Sequence, residues 1–137
     1  MEYLHDTIIY NLIAVQKKLV SAVKTDFSEV DITHENYITL HFIYENPGIS
    51  QAELSELNAR DKNVIVKTID RLQKNGWVER RPSADDRRTH SLFVTTEGKK
   101  IIKKYWGSLV QRQNEALSPL CEAEKKQLDE LLKKILR

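Results

Sequence analysis

Apolar residues recur at helical spacing along most of this chain and change once to an alternating period. From Thr7 to about Phe27 the positions Ile8, Ile9, Leu12, Ile13, Val15, Leu19, Val20, Val23 and Phe27 follow a helical repeat, with Gln16, Lys17, Lys18 and Lys24 mostly between them. This predicts a first helix. Its apolar face is wide for a helix lying on one small core, so part of it is expected to pack against another subunit; burial within the chain would account for the same residues. Thr33 can cap a second helix that runs to about Glu45, where Asn46-Pro47-Gly48 stops it. Ser50-Gln51-Ala52-Glu53 has the form of a capping box, and Ile49 before it can staple onto Leu54, which predicts a short third helix ending near Leu57-Asn58.

Asp61 can cap a fourth helix whose inward stripe, Ile65, Thr68, Ile69 and Leu72, keeps the i, i+3, i+4, i+7 pattern until Asn75-Gly76. The period then changes. Trp77-Val78-Glu79-Arg80 and His90-Ser91-Leu92-Phe93-Val94 predict two short strands joined through the turn-forming stretch from Pro82 to Arg88. Thr95 or Thr96 can cap a long fifth helix containing Ile101, Ile102, Tyr105, Trp106, Leu109 and Val110, which fades before Ser118-Pro119. Leu128, Leu131, Leu132, Ile135 and Leu136 predict a last amphipathic helix, capped at Ser118 or Cys121. The order of elements predicts a mainly α fold with a small β-hairpin wing: a winged helix-turn-helix, flanked by N- and C-terminal helices.

The 137 residues allow one compact domain. The net charge of +2 says little about partners, but its distribution says more. Thirteen of the 22 Lys and Arg lie between Arg60 and Lys104, against six of the 20 Asp and Glu, so a basic middle follows an acidic N-terminal part and precedes a nearly neutral C-terminal one. A polyanion-binding module carried on an unrelated scaffold has this distribution. The single Cys121 excludes an intrachain disulfide and a multi-thiolate zinc site. No apolar run approaches the roughly 20 residues needed to span a bilayer, and a soluble, cytoplasmic protein with no membrane partner is expected.

With the fourth helix's stripe turned inward, its other face presents Lys62, Asn63, Val66, Lys67 and Asp70, with Arg71 and Lys74 near its flanks. Asparagine can pair bidentately with adenine, lysine can reach guanine or phosphate, and valine can lie against a thymine methyl. An ordinary solvated helix face would look similar. At the hairpin tip, Asp85-Asp86-Arg87-Arg88 sets two arginines beside two aspartates, an arrangement that can hold a guanidinium outward, toward a narrow minor groove. A self-neutralising surface turn is the plainer reading.

Residues Asp70-Arg71-Leu72-Gln73-Lys74-Asn75-Gly76-Trp77-Val78-Glu79-Arg80 resemble the recognition-helix end and first wing strand of the MarR-type (multiple antibiotic resistance regulator) winged-helix proteins. Asp86-Arg87-Arg88, followed by Val94-Thr95-Thr96-Glu97-Gly98, resembles that family's wing tip and exit, with departures at Ser83 and Val94. The resemblance implies a single domain over residues 1–137, with a DNA-binding lobe over 32–96 and dimerisation helices over 1–31 and 97–137. It implies a homodimeric regulator, in most readings a repressor, that binds double-stranded DNA at a pseudo-palindromic operator. DNA contacts would fall on Lys62, Asn63, Val66, Lys67 and Arg71 and on the wing residues Asp86, Arg87 and Arg88, with Asp86 orienting Arg88 into the minor groove. It further implies a pocket for a small aromatic effector, for which Tyr10, Tyr37, His41, Tyr44 and Trp106 are candidates; all five would serve equally as core aromatics.

Two other readings stay open: a winged-helix protein-interaction module, and a regulator responsive to redox state or to a metal. The family's redox-sensing members carry a reactive cysteine in the first helix, which has none here. An enzyme would have to draw on His5, His34, His41, His90 and Cys121, and no nucleophile elbow, phosphate loop or His-x-x-x-His pair accompanies them. No catalytic residue, cofactor or metal is therefore expected.

Overall fold

Side-chain caps set where the helices begin. The structure, a computed structural model, describes residues 2–27, 29–83 and 89–137. After a 3₁₀ turn at Leu4–Asp6, the helices are α1 (Ile8–Asp26), α2 (His34–Glu45), α3 (Gln51–Leu57), α4 (Lys62–Lys74), α5 (Thr96–Ala116) and α6 (Glu122–Leu136); strands β1 (Val78–Pro82) and β2 (His90–Val94) stand between α4 and α5. The Thr33 hydroxyl accepts from the Asn36 amide, Ser50 from Glu53, Asp61 from Asn63, and Thr95 from Gly98. Each bond satisfies an amide that the first helical turn leaves without a partner. Of the two threonines offered for α5, Thr95 is the cap. For α6 it is Cys121, whose backbone N–H donates to the Glu124 carboxylate at 2.9 Å; that bond pulls the Glu124 carboxyl below its ordinary range.

The chain divides into two compact units, Asp26–Trp106 and Met1–Thr25 with Gly107–Arg137. The core of the larger unit is built from Tyr37, Leu40 and Ile43 of α2, Leu54 of α3, Ile65, Ile69 and Leu72 of α4, Val78 of β1 and Leu92 of β2. Burying each of the three α4 residues is worth about 1.5–3 kcal/mol, enough to set the rotation of that helix. β1 and β2 pair antiparallel from Val78 opposite Val94 to Pro82 opposite His90. β1 begins one residue later than the alternation suggested and runs on through Arg81 and Pro82. A further pairing was not legible in the sequence. Ile49, just before α3, bridges to Leu92, with the Leu92 N–H donating to the Ile49 carbonyl at 2.9 Å and the Gly48 N–H to the Leu92 carbonyl at 2.8 Å. Gly48 reaches this position at φ +89°, a conformation that L side chains resist.

In the smaller unit, α1 leaves Ile8, Ile9, Leu12, Ile13 and Val15 between 45% and 75% exposed, and α6 leaves Leu131, Ile135 and Leu136 at 51% or more. Among the described residues these are large apolar side chains left exposed together on two helices of one unit.

The entry to α5 is locked onto the turn that ends α4. The Thr95 hydroxyl donates to the Gly76 carbonyl at 2.6 Å, and the Thr95 N–H donates to the Trp77 carbonyl at 2.9 Å. Gly98 is buried against this junction, where a Cβ would lie 2.7 Å from Val94 Cγ1 and closer still to the Trp77 carbonyl oxygen. In an open helix, glycine to alanine gains about 1 kcal/mol. Here the sign should reverse: Gly98→Ala is expected to destabilise by about 1–3 kcal/mol through overpacking, read from urea denaturation. A variant as stable as the parent would show that the junction has slack.

Candidate nucleic-acid interface

Helices α3 and α4 form the helix-turn-helix, and the turn between them hangs on one buried hydroxyl. Thr39 of α2 is fully buried; its hydroxyl donates to the Glu35 carbonyl at 3.1 Å and accepts from Asn58 Nδ2 at 2.6 Å and Arg60 Nη1 at 2.7 Å. The Ser55 hydroxyl closes the same turn by donating to the Arg60 carbonyl at 2.5 Å. Ala59 adopts φ +50°, a left-handed conformation that costs an alanine about 1 kcal/mol or more and persists because both sides of the turn are tied down.

The buried stripe of α4 decides what the helix shows to solvent. Ile65, Thr68, Ile69 and Leu72 point inward. At roughly 100° per residue, Asn63, Lys67, Asp70 and Lys74 stand opposite, all exposed, with Lys62 and Val66 exposed beside them. Among the described residues Lys62, Lys67 and Lys74 have no ion-pair partner. Asp70 does: Arg80 of β1 donates Nη2 to its carboxylate and Nη1 to the Gln73 amide oxygen, both at 2.6 Å. This guanidinium is mostly covered and neutralises the one acid on the outward face of α4 while tying that helix to the first wing strand. Arg81, the next residue, pairs with Glu79 and lies 4.2 Å over the Phe93 ring.

Arg71 stands apart from the lysines. It lies on the flank of α4 and gives Nη2 to both carboxylate oxygens of Asp31, in the connection between α1 and α2. That bond raises the guanidinium's already high pKa. Residues 84–88, and with them Asp86, Arg87 and Arg88, lie outside the described residues.

Three of the five effector candidates gather around a fourth, His41. His41 has the Trp106 ring at 5.0 Å, Tyr44 at 5.9 Å and Tyr37 at 6.0 Å, and its Nδ1 is 2.9 Å from the Glu45 carboxylate. Tyr37 is wholly buried and donates its hydroxyl to the Ile102 carbonyl at 2.9 Å; burial pushes its pKa up to about 12. Tyr37 is therefore a core residue whose polar atom is already satisfied. Tyr44, by contrast, borders a cavity of about 450 Å³ with Pro47, Arg81, Phe93 and Lys99. Tyr10 belongs to the smaller unit. Phe27 and Tyr105, which helical periodicity treated as ordinary apolar positions, complete the aromatic cluster, with Phe27 4.8 Å from Tyr105 and 5.2 Å from Tyr37.

Among the described residues no group of three or more His, Cys, Asp or Glu is arranged to hold a metal, and no helix is long and apolar enough to cross a membrane. His34 is half-buried, and desolvation lowers its pKa against a weaker opposing pull from Glu35. Cys121 is exposed.

Comparison with known proteins agrees with this geometry. Residues 30–89 match the family model described as MarR family. The chain is 30% identical over 126 residues to the uncharacterised HTH-type transcriptional regulator YybA of Bacillus subtilis, covering 88% of this chain and 81% of that protein. Among solved structures, wild-type MarR of E. coli in its apo form superposes with a TM-score of 0.82 at 28% identity, over 99% of this chain and 100% of that one. BpsR of Bordetella bronchiseptica, whose DNA binding is regulated by 6-hydroxynicotinic acid, shares the fold, with a TM-score of 0.89 at 16% identity over 98% of this chain and 96% of that one.

Because the Thr39 hydroxyl serves three partners at once, Thr39→Val tests the turn with almost no change in shape. It should cost about 1–3 kcal/mol in chemical denaturation, since the Asn58 and Arg60 donors lose their acceptor. An unchanged midpoint would mean that the turn stands without it.

Proposed function

The chain belongs to the MarR family of transcriptional regulators, and we propose that it acts as a repressor, binding a pseudo-palindromic operator as a homodimer with α4 in the major groove and the β1–β2 hairpin over the minor groove. One observation carries this reading: three lysines without an ion-pair partner among the described residues, together with Asn63, surround the side of α4 opposite its buried stripe, while Arg80 cancels the acid among them. Lysines that neutralise phosphates release counterions, and asparagine beside them can read adenine. The apolar residues exposed on α1 and α6 supply the dimer surface. Asp86, Arg87 and Arg88 take the wing roles that the family resemblance suggests: Arg88 in the minor groove, Arg87 on phosphate, and Asp86 orienting a guanidinium.

We further propose that a small aromatic effector releases the DNA, as 6-hydroxynicotinic acid regulates BpsR. The aromatic row around His41, at the end of which Tyr44 borders a cavity, supports that reading.

Selection of bound duplexes from random DNA tests the core of the proposal. A dimer should enrich two inverted half-sites with centres about 10 bp apart, because its two recognition helices enter successive major grooves on one face. Enrichment of one isolated half-site would exclude the symmetric dimer. Binding that does not weaken as salt rises would exclude the phosphate contacts.

Single substitutions then separate the roles. Asn63→Ala and Lys67→Ala should each cost about 1–3 kcal/mol at the selected site; loss confined to particular base positions marks base reading, and uniform loss marks phosphate contact. Arg88→Ala should weaken binding without unfolding the protein. Asp86→Ala should weaken it too, although it removes a negative charge, because the arginine loses its guide. If Asp86→Ala instead binds all DNA more tightly, the orienting role is wrong.

A further inference from the structure

The pair between Arg71 and Asp31 differs from the Arg80–Asp70 pair in that α4 supplies the base rather than the acid, so that a cation of the helix is the group neutralised. Arg71 borders the same cavity, about 500 Å³, as Lys67 and Lys74, so its charge sits within the basic rim of the proposed DNA-facing helix. Yet its Nη2 lies 2.5 Å from both oxygens of the Asp31 carboxylate. A carboxylate offers a guanidinium the same close pair of anionic oxygens as a phosphate, so the two compete for one site.

Asp31 is held in place to do this. Asn75 Nδ2 donates to its backbone carbonyl at 3.2 Å, the neighbouring Ile32 is buried, and the Ile32 N–H donates to the Val30 carbonyl at 2.9 Å. The clasp therefore joins the α1–α2 connection to the last turn of α4 through a side-chain pair and a side-chain-to-backbone bond. Both charged side chains are more than half exposed, Arg71 at 52% and Asp31 at 65%, so the pair is one that can be altered without unfolding the protein.

We propose that Asp31 holds Arg71 away from DNA phosphate and so limits how strongly α4 grips DNA of any sequence. Asp31 is a positioning residue, and Arg71 is a cation of the recognition helix that makes no phosphate contact while the clasp is closed. The inference rests on the reading that α4 faces DNA.

Salt titrations of the whole protein on a generic duplex test it, with Lys67→Gln as the reference for a residue that does touch DNA. Arg71→Gln alone should leave the slope of log K against log salt as it is, any loss of affinity being that of the Asp31 carboxylate left uncompensated, which the double variant restores. Asp31→Asn should tighten binding by about three-fold or more at low salt and steepen that slope by about 0.9 for each protomer bound, because the freed guanidinium neutralises one more phosphate. The double variant should return to the parent's affinity and slope. If Arg71→Gln alone weakens binding and flattens the slope as Lys67→Gln does, Arg71 already touches phosphate and the inference is overturned. It is equally overturned if the tighter binding of Asp31→Asn survives in the double variant, because the effect is then only the loss of a negative charge. If Lys67→Gln leaves affinity and slope untouched, the placement of α4 on DNA fails and this inference falls with it.

Discussion

Everything this molecule presents to a partner through α4 depends on the burial of Ile65, Ile69 and Leu72, which have no exposed surface. A helix is free to rotate about its axis until something forbids it, and three large side chains in one core forbid it. Once they are in, Asn63, Lys67 and Lys74 have nowhere to go but outward. The polar interactions refine this placement rather than create it. Asp61 caps the start of α4, Thr39 sets the angle of the turn before it through Asn58 and Arg60, and Asn75 ties its end to Asp31.

The charges around α4 are sorted by which of them are paired. Arg80 neutralises Asp70, the one acid of α4, and the bond runs from β1 to that helix. Exposed pairs contribute little to stability on average. A partly covered one such as Arg80–Asp70 also ties the first strand to α4, whereas Asp31 pairs with a base of that helix, Arg71. Among the described residues, Lys62, Lys67 and Lys74 have no ion-pair partner while Arg71 and Arg80 do, a distinction that a count of basic residues along the sequence misses.

The aromatic residues show the same sorting. Tyr37, Phe27 and Tyr105 fill the core of the larger unit, and Tyr37 directs its hydroxyl to a backbone carbonyl. Tyr44 and Trp106, both close to His41, keep more than two-fifths of their surface exposed. Residues of one chemical class thus serve two purposes, core filling and surface, and their spacing along the chain does not separate the two.

Local signals determined most of the secondary structure. Thr33, Ser50 and Asp61 are caps because a short side-chain oxygen at the helix start satisfies an amide that nothing else reaches, and Gly76 lets the chain leave α4 because only glycine takes a positive φ at no steric cost. The inward stripe of α4 and the charged face opposite it were legible for the same reason, since a fixed 3.6-residue period converts spacing into direction. What tertiary structure alone decided were the pairings between residues far apart in the chain: Thr39 with Asn58 and Arg60, Arg71 with Asp31 forty positions away, and Ile49 with Leu92. Periodicity places a residue on a face of its own element, but it carries no information about which other element packs against that face. Arg71 therefore read as one more cation on a basic helix until the fold brought a carboxylate to it.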